Sequence, residues 1–116
     1  APAGAVFVTG YCYGGSMSWM AAARLPGLSA ASCYYGGSIP DLADLEPLCP
    51  AICHFGAKDP WIPKEKVDAS AARRPEKPVY WYDADHGFAR KGGHSYDAAA
   101  DALAWERTLQ LFEAQS

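Results

Sequence analysis

Apolar residues along this chain cluster in short blocks rather than alternating one by one. Residues 5–9 (AVFVT) form a small, mostly β-branched run, the length of a strand and too short for a helix. Residues 14–25 are rich in small side chains, lack proline and stop at Pro26-Gly27, which predicts a helix. Residues 29–35 (SAASCYY), 51–55 (AICHF) and 79–82 (VYWY) predict three further strands. Residues 63–73 predict a second helix with proline in its first turn. Residues 38–49 read as a connection with a short helix near 41–45, and 87–96 as a polar loop. In 97–113, Ala98, Ala102, Trp105, Leu109 and Phe112 follow one another at spacings of four, three, four and three. That is one face of a 3.6-residue period, expected to pack on the core. Trp19, Trp81 and Trp105 are expected in core or half-buried packing. Strands that are apolar throughout and alternate with helices imply an α/β fold, a parallel sheet of about four strands covered on both faces.

Composition narrows the function. The chain has 116 residues, half of them hydrophobic, enough for one small domain. The net charge is −3 and the basic residues are dispersed, which argues against a nucleic-acid surface or a polybasic membrane anchor. No apolar run approaches the roughly 20 residues that span a bilayer. The opening Ala1-Pro2-Ala3-Gly4 has neither the basic nor the long apolar region of a secretory signal. The cysteines at 12, 33, 49 and 53 do not form a dense disulfide framework, so reduced thiols in the cytoplasm are expected. Cys49, Cys53 and His54 crowd together, but their spacing matches no usual zinc site and His54 falls within a strand; no metal is expected. His94 is expected at the surface. The chain opens on a loop-like tetrapeptide without an initiator methionine, as a fragment or processed product would.

The candidate chemistry begins at Gly10-Tyr11-Cys12-Tyr13-Gly14. This is a Gly-x-nucleophile-x-Gly pattern between a strand and a helix, with cysteine as nucleophile. The flanking glycines are expected because side chains two positions either side would collide with the neighbouring strand and helix. At a helix N-terminus, unpaired N–H groups and the helix dipole favour an anion at Cys12. The Tyr13 N–H is placed to meet a developing oxyanion. The competing reading of Cys12 is a buried structural thiol in a tight turn. Two further candidates follow strand ends, where reacting groups collect in parallel α/β folds. They are Asp59, after the third strand, and His86, after the fourth. The chain order nucleophile, acid, base suits a triad in which His86 takes the thiol proton and Asp59 fixes the imidazole. Taken singly, Asp59 before Pro60 also fits a turn residue, and His86 a loop histidine beside two acids.

The chain resembles the dienelactone hydrolase (carboxymethylenebutenolidase) family. The resemblance rests on Gly10-Tyr11-Cys12-Tyr13-Gly14-Gly15, Tyr34-Tyr35-Gly36 and His54-Phe55-Gly56 with Asp59. It continues through His86-Gly87-Phe88-Ala89-Arg90, Tyr96-Asp97 and Ala104-Trp105-Glu106-Arg107-Thr108. It implies a partial α/β-hydrolase fold of four mainly parallel strands, a Cys12–His86–Asp59 triad and no cofactor. It also implies an activated ester or lactone substrate whose carboxylate meets Arg90, a fixed bidentate fork. Tyr35 and Trp61 are expected near the pocket. Family members are about twice as long. On this resemblance residues 1–116 form a single partial domain without the amino-terminal half, which supplies strands, a second oxyanion donor and further carboxylate contacts. The unpaired edge of strand one would then invite self-association. The rival to a working hydrolase is a catalytically incomplete fragment that serves as a binding or assembly module.

Overall fold

The computed structural model describes residues 5–42, 45–73 and 77–115. Four strands, β1 (Phe7–Tyr11), β2 (Ala30–Tyr34), β3 (Ala51–Gly56) and β4 (Val79–Tyr82), lie side by side in chain order, all parallel. The helices are α1 (Tyr13–Arg24), α2 (Lys64–Ala72) and α3 (Ala98–Ala114). β1 runs two residues beyond the expected end because Gly10 and Tyr11 continue the ladder against Cys33 and Tyr34. The expected short helix near 41–45 is a 3₁₀ turn over Ile39–Leu42; residues 43 and 44 lie outside the described set.

Strand alternation sorts side chains onto two faces. Cys53, Phe55 and Val79 meet Trp19 of α1 and Val67 of α2 on one face. Ser32, Tyr34 and His54 meet Thr108 of α3 on the other. β2 and β3 are buried along their whole length, as strands covered on both sides must be. Among the described residues, no helix is long and apolar enough to cross a membrane.

The face α3 buries is not the one its apolar period marks. Asp97 caps the helix, its carboxylate accepting from Ala100 N–H at 2.9 Å. Ala100, Ala104 and Thr108 then turn inwards. These small side chains let the helix lie close on Ser32 and Tyr34. Ala98, Ala102, Trp105 and Leu109 are exposed, Trp105 by 45%, so the expectation of core packing fails for this stripe. Phe112 is half-buried, stacked on Phe7 with ring centroids 4.4 Å apart. Trp19 is buried and Trp81 half-buried, as expected.

Candidate active site

Cys12 stands between β1 and α1 with φ +58° and ψ −120°, a left-handed backbone that side chains rarely adopt. Its N–H donates to the Tyr34 carbonyl (3.2 Å), and its carbonyl accepts from Gly15 (3.0 Å) and Ser16 (3.3 Å). The turn is tight enough that a Cβ at Gly10 would strike the Gly14 carbonyl. The second expected collision moves by one residue. Gly14 faces open space, whereas a Cβ at Gly15, turned onto β2, would strike the Tyr34 carbonyl. The Cys12 thiol is exposed, which removes the buried-structural reading. Tyr13 is the first residue of α1, where the helix leaves a backbone N–H without an internal partner.

Asp59 and His86 meet across two loops. His86 Nδ1 donates to Asp59 Oδ2 at 2.5 Å, with the carboxylate side chain 1% exposed and the imidazole 21%. The other carboxylate oxygen, Oδ1, accepts from Trp61 N–H at 2.8 Å, so Asp59 is both turn residue and histidine partner. With Nδ1 occupied, His86 offers Nε2 as its basic atom. The two loops are sewn together through backbone: the Tyr82 carbonyl accepts from Ala57 (2.7 Å) and Ala84 (2.8 Å), and the Ala84 carbonyl from Lys58 (2.9 Å). His86 N–H donates to Asp85 Oδ1 at 2.7 Å. The rings of Tyr35 and Trp61 stand edge-on to the imidazole, at 4.9 and 5.5 Å.

Tyr35 is the link to Cys12. It is buried, has φ +38°, and shares with Cys12 the wall of a cavity of about 740 Å³ that Arg90, Tyr11 and Trp105 also line. Burial pushes its phenol up, as does the neighbouring Cys12. Trp61 lies against His86 rather than in that wall. Arg90 enters through a turn in which its N–H donates to the Gly87 carbonyl (3.0 Å). His94 is exposed. Among the described residues, no three of His, Cys, Asp and Glu group as metal ligands.

Behind the site runs a buried polar chain that periodicity does not reveal. Arg107 Nη1 donates to Tyr82 OH (3.1 Å), so the phenol proton goes to His54 Nδ1 (2.8 Å). His54 then carries its own proton on Nε2 and donates to Ser32 Oγ (2.9 Å). Ser32 donates to Thr108 Oγ1 (2.7 Å), and Thr108 to the Ala104 carbonyl (2.9 Å). Every member is satisfied in a single direction. Burial, with Arg107 nearby, lowers the His54 pKa to about 3, which fits a ring holding one proton. The only sequence signals were His54 and the Arg107-Thr108 pair, both inside the blocks that carry the resemblance; their partners at 32 and 82 are set by the fold.

The sequence model of the dienelactone hydrolase family matches residues 2–116. Carboxymethylenebutenolidase 1 of Cupriavidus pinatubonensis is 35% identical over 116 residues, 93% of this chain and 48% of that protein. Carboxymethylenebutenolidase of Pseudomonas putida is 34% identical over 114 residues, with the same two shares. A crystal structure of a putative dienelactone hydrolase from Klebsiella pneumoniae superposes with a TM-score of 0.83 at 28% identity, covering 92% of this chain and 51% of that one. The chain thus spans about half the length of the curated relatives it matches. On a match that takes in nearly every residue, the chain belongs to the dienelactone hydrolase family.

Proposed function

We propose that this protein hydrolyses activated carboxylic esters or lactones that carry a carboxylate, through Cys12, His86 and Asp59. The Cys12 thiol gives its proton to His86 Nε2, and the sulfur attacks the carbonyl carbon. The Tyr13 N–H holds part of the oxyanion charge. Collapse of the tetrahedral adduct breaks the ester C–O bond, and the leaving oxygen takes the proton back from His86. For a lactone this step opens the ring and leaves an acyl thioester. Water then gives a proton to His86, attacks the thioester and frees the acid and the thiol. A thiolate is itself a good leaving group, so the chemistry suits substrates with stabilised leaving oxygens. Arg90, on the cavity wall beside Cys12, pairs with the substrate carboxylate. Four free cysteines, with Cys33 and Cys53 in register on adjacent strands, suit work in the reducing cytoplasm.

The observation that carries this reading is the buried Asp59 carboxylate on His86 Nδ1, in a chain whose exposed cysteine occupies a strained strand-to-helix turn. Hydrolysis of dienelactone and of p-nitrophenyl acetate by Cys12→Ala and His86→Ala tests it. Loss of turnover in both is expected, and unchanged hydrolysis in both would remove the assignment.

A further inference from the structure

One face of α3 stays outside the packed core, and the proposed reaction gives it no task. Ala98, Asp101, Ala102 and Trp105 recur at spacings of three, one and three, the period of one helix face, and all four line the cavity that holds Cys12. The two alanines leave room there, and Trp105 is half-exposed. Among the described residues, Asp101 is the one acid in that wall.

The main chain of Asp101 is tied into the helix, its N–H donating to the Asp97 carbonyl at 2.9 Å. Its carboxylate accepts from the Tyr96 phenol. Burial, and then the Asp101 charge, pushes the Tyr11 phenol up. Tyr11, Tyr96 and Trp105, all partly exposed, share the wall with it. Arg90 and Lys91 lie in the same wall. Among the described residues, no ion pair joins either cation to an acid, and none joins Asp101 to a cation. One cavity thus carries unpaired charge of both signs. A half-buried carboxylate among aromatic rings suits an organic cation, because the rings add their quadrupole to its charge. A second substrate carboxylate would be repelled there.

We propose that Asp101 is a specificity-determining residue that receives an ammonium group, so that the preferred substrates are esters or lactones carrying both a carboxylate and an ammonium. Arg90 takes the carboxylate. Asp101 takes the ammonium, with Tyr11, Tyr96 and Trp105 around it. The ester or lactone part of this inference rests on the proposed function; the ammonium site does not.

Three p-nitrophenyl esters that differ in one substituent test it. They are the mono-ester of succinic acid, the β-ester of aspartic acid, which adds an ammonium, and the matching ester of malic acid, which adds a hydroxyl. With each kcat/KM divided by the ester's own rate of spontaneous hydrolysis, the aspartyl ester should exceed the succinyl ester by about tenfold, and the malyl ester should not. Asp101→Asn should bring the aspartyl preference to about one. Arg90→Ala should weaken all three alike. A readout without turnover follows the Trp105 indole N–H resonance in Cys12→Ala. Asparagine should shift it at concentrations about tenfold lower than succinamate, and adding Asp101→Asn should erase the difference. The same aspartyl preference in the wild type and in Asp101→Asn, or equal titration by the two amides, would overturn the proposal. So would a malyl ester favoured as strongly as the aspartyl one, since the site would then read a hydrogen-bond donor rather than a charge. Retained turnover of all three esters in Cys12→Ala would instead strike the proposed function, and the indole titration would still decide the ammonium site.

Discussion

Asp59 divides its two carboxylate oxygens between different tasks, one closing a turn onto Trp61 and one holding His86. An amide offers only one acceptor and would present the wrong partner to Nδ1. Asp59→Asn should therefore cut kcat/KM for p-nitrophenyl acetate by about 10⁴ and cost about 1–3 kcal/mol of stability through the buried donor left unpaired, checked by steady-state kinetics and urea unfolding. Arg90→Ala should raise KM for acidic esters and leave neutral esters little affected; equal effects on both would argue against a carboxylate anchor. His54 governs stability instead. Its folded pKa is lowered from 6.5 to about 3 by burial, then by Arg107, so the unfolded chain binds the extra proton first as pH falls. Its contribution is present above about pH 6.5 and is lost towards pH 3, amounting to about 3 kcal/mol between pH 7 and pH 4. Urea midpoints across that range should fall with acid, and His54→Gln should flatten the slope. Asp59 and His86 were legible as residues after strand ends in the right order. The partners of His54 were not, because Ser32, Tyr82 and Thr108 come from three other elements with no fixed spacing.

At the scale of elements, the strand-to-helix turn and the last helix teach opposite lessons. The turn is local, so its glycine pattern was readable, with the second contact displaced by one residue. Gly10→Ala should cost about 1–3 kcal/mol by overpacking, whereas Gly14→Ala, facing open space, should be neutral or stabilising by up to about 1 kcal/mol. Urea unfolding of the two variants separates these outcomes. For α3, apolar periodicity found the helix and misassigned its buried face. A hydrophobic stripe shows which side needs cover, not what supplies it. Here the sheet takes the narrow Ala100–Ala104–Thr108 side, and the bulky side is left open. Thr108→Val keeps the shape and removes the hydroxyl that Ser32 and Tyr34 meet; it should cost about 1–3 kcal/mol.

At the scale of the whole molecule, four parallel strands were legible because β2 and β3 are largely apolar along their length, as doubly covered strands must be; their order in the sheet was not. The cations over Trp81 and Tyr80 were not, since Lys64 and Arg107 reach β4 only through the packing of α2 and α3. The groups of the proposed reaction are carried by different parts of the sheet. Asp59 and His86, the acid and base of the proposed reaction, share loops knotted at the Tyr82 carbonyl. Cys12 sits in the turn after β1, which among the described residues pairs with β2 alone. Warming should therefore melt chemistry before architecture: ester turnover is expected to fade several degrees below the loss of helical ellipticity, with the thiol wandering from an imidazole that has not moved.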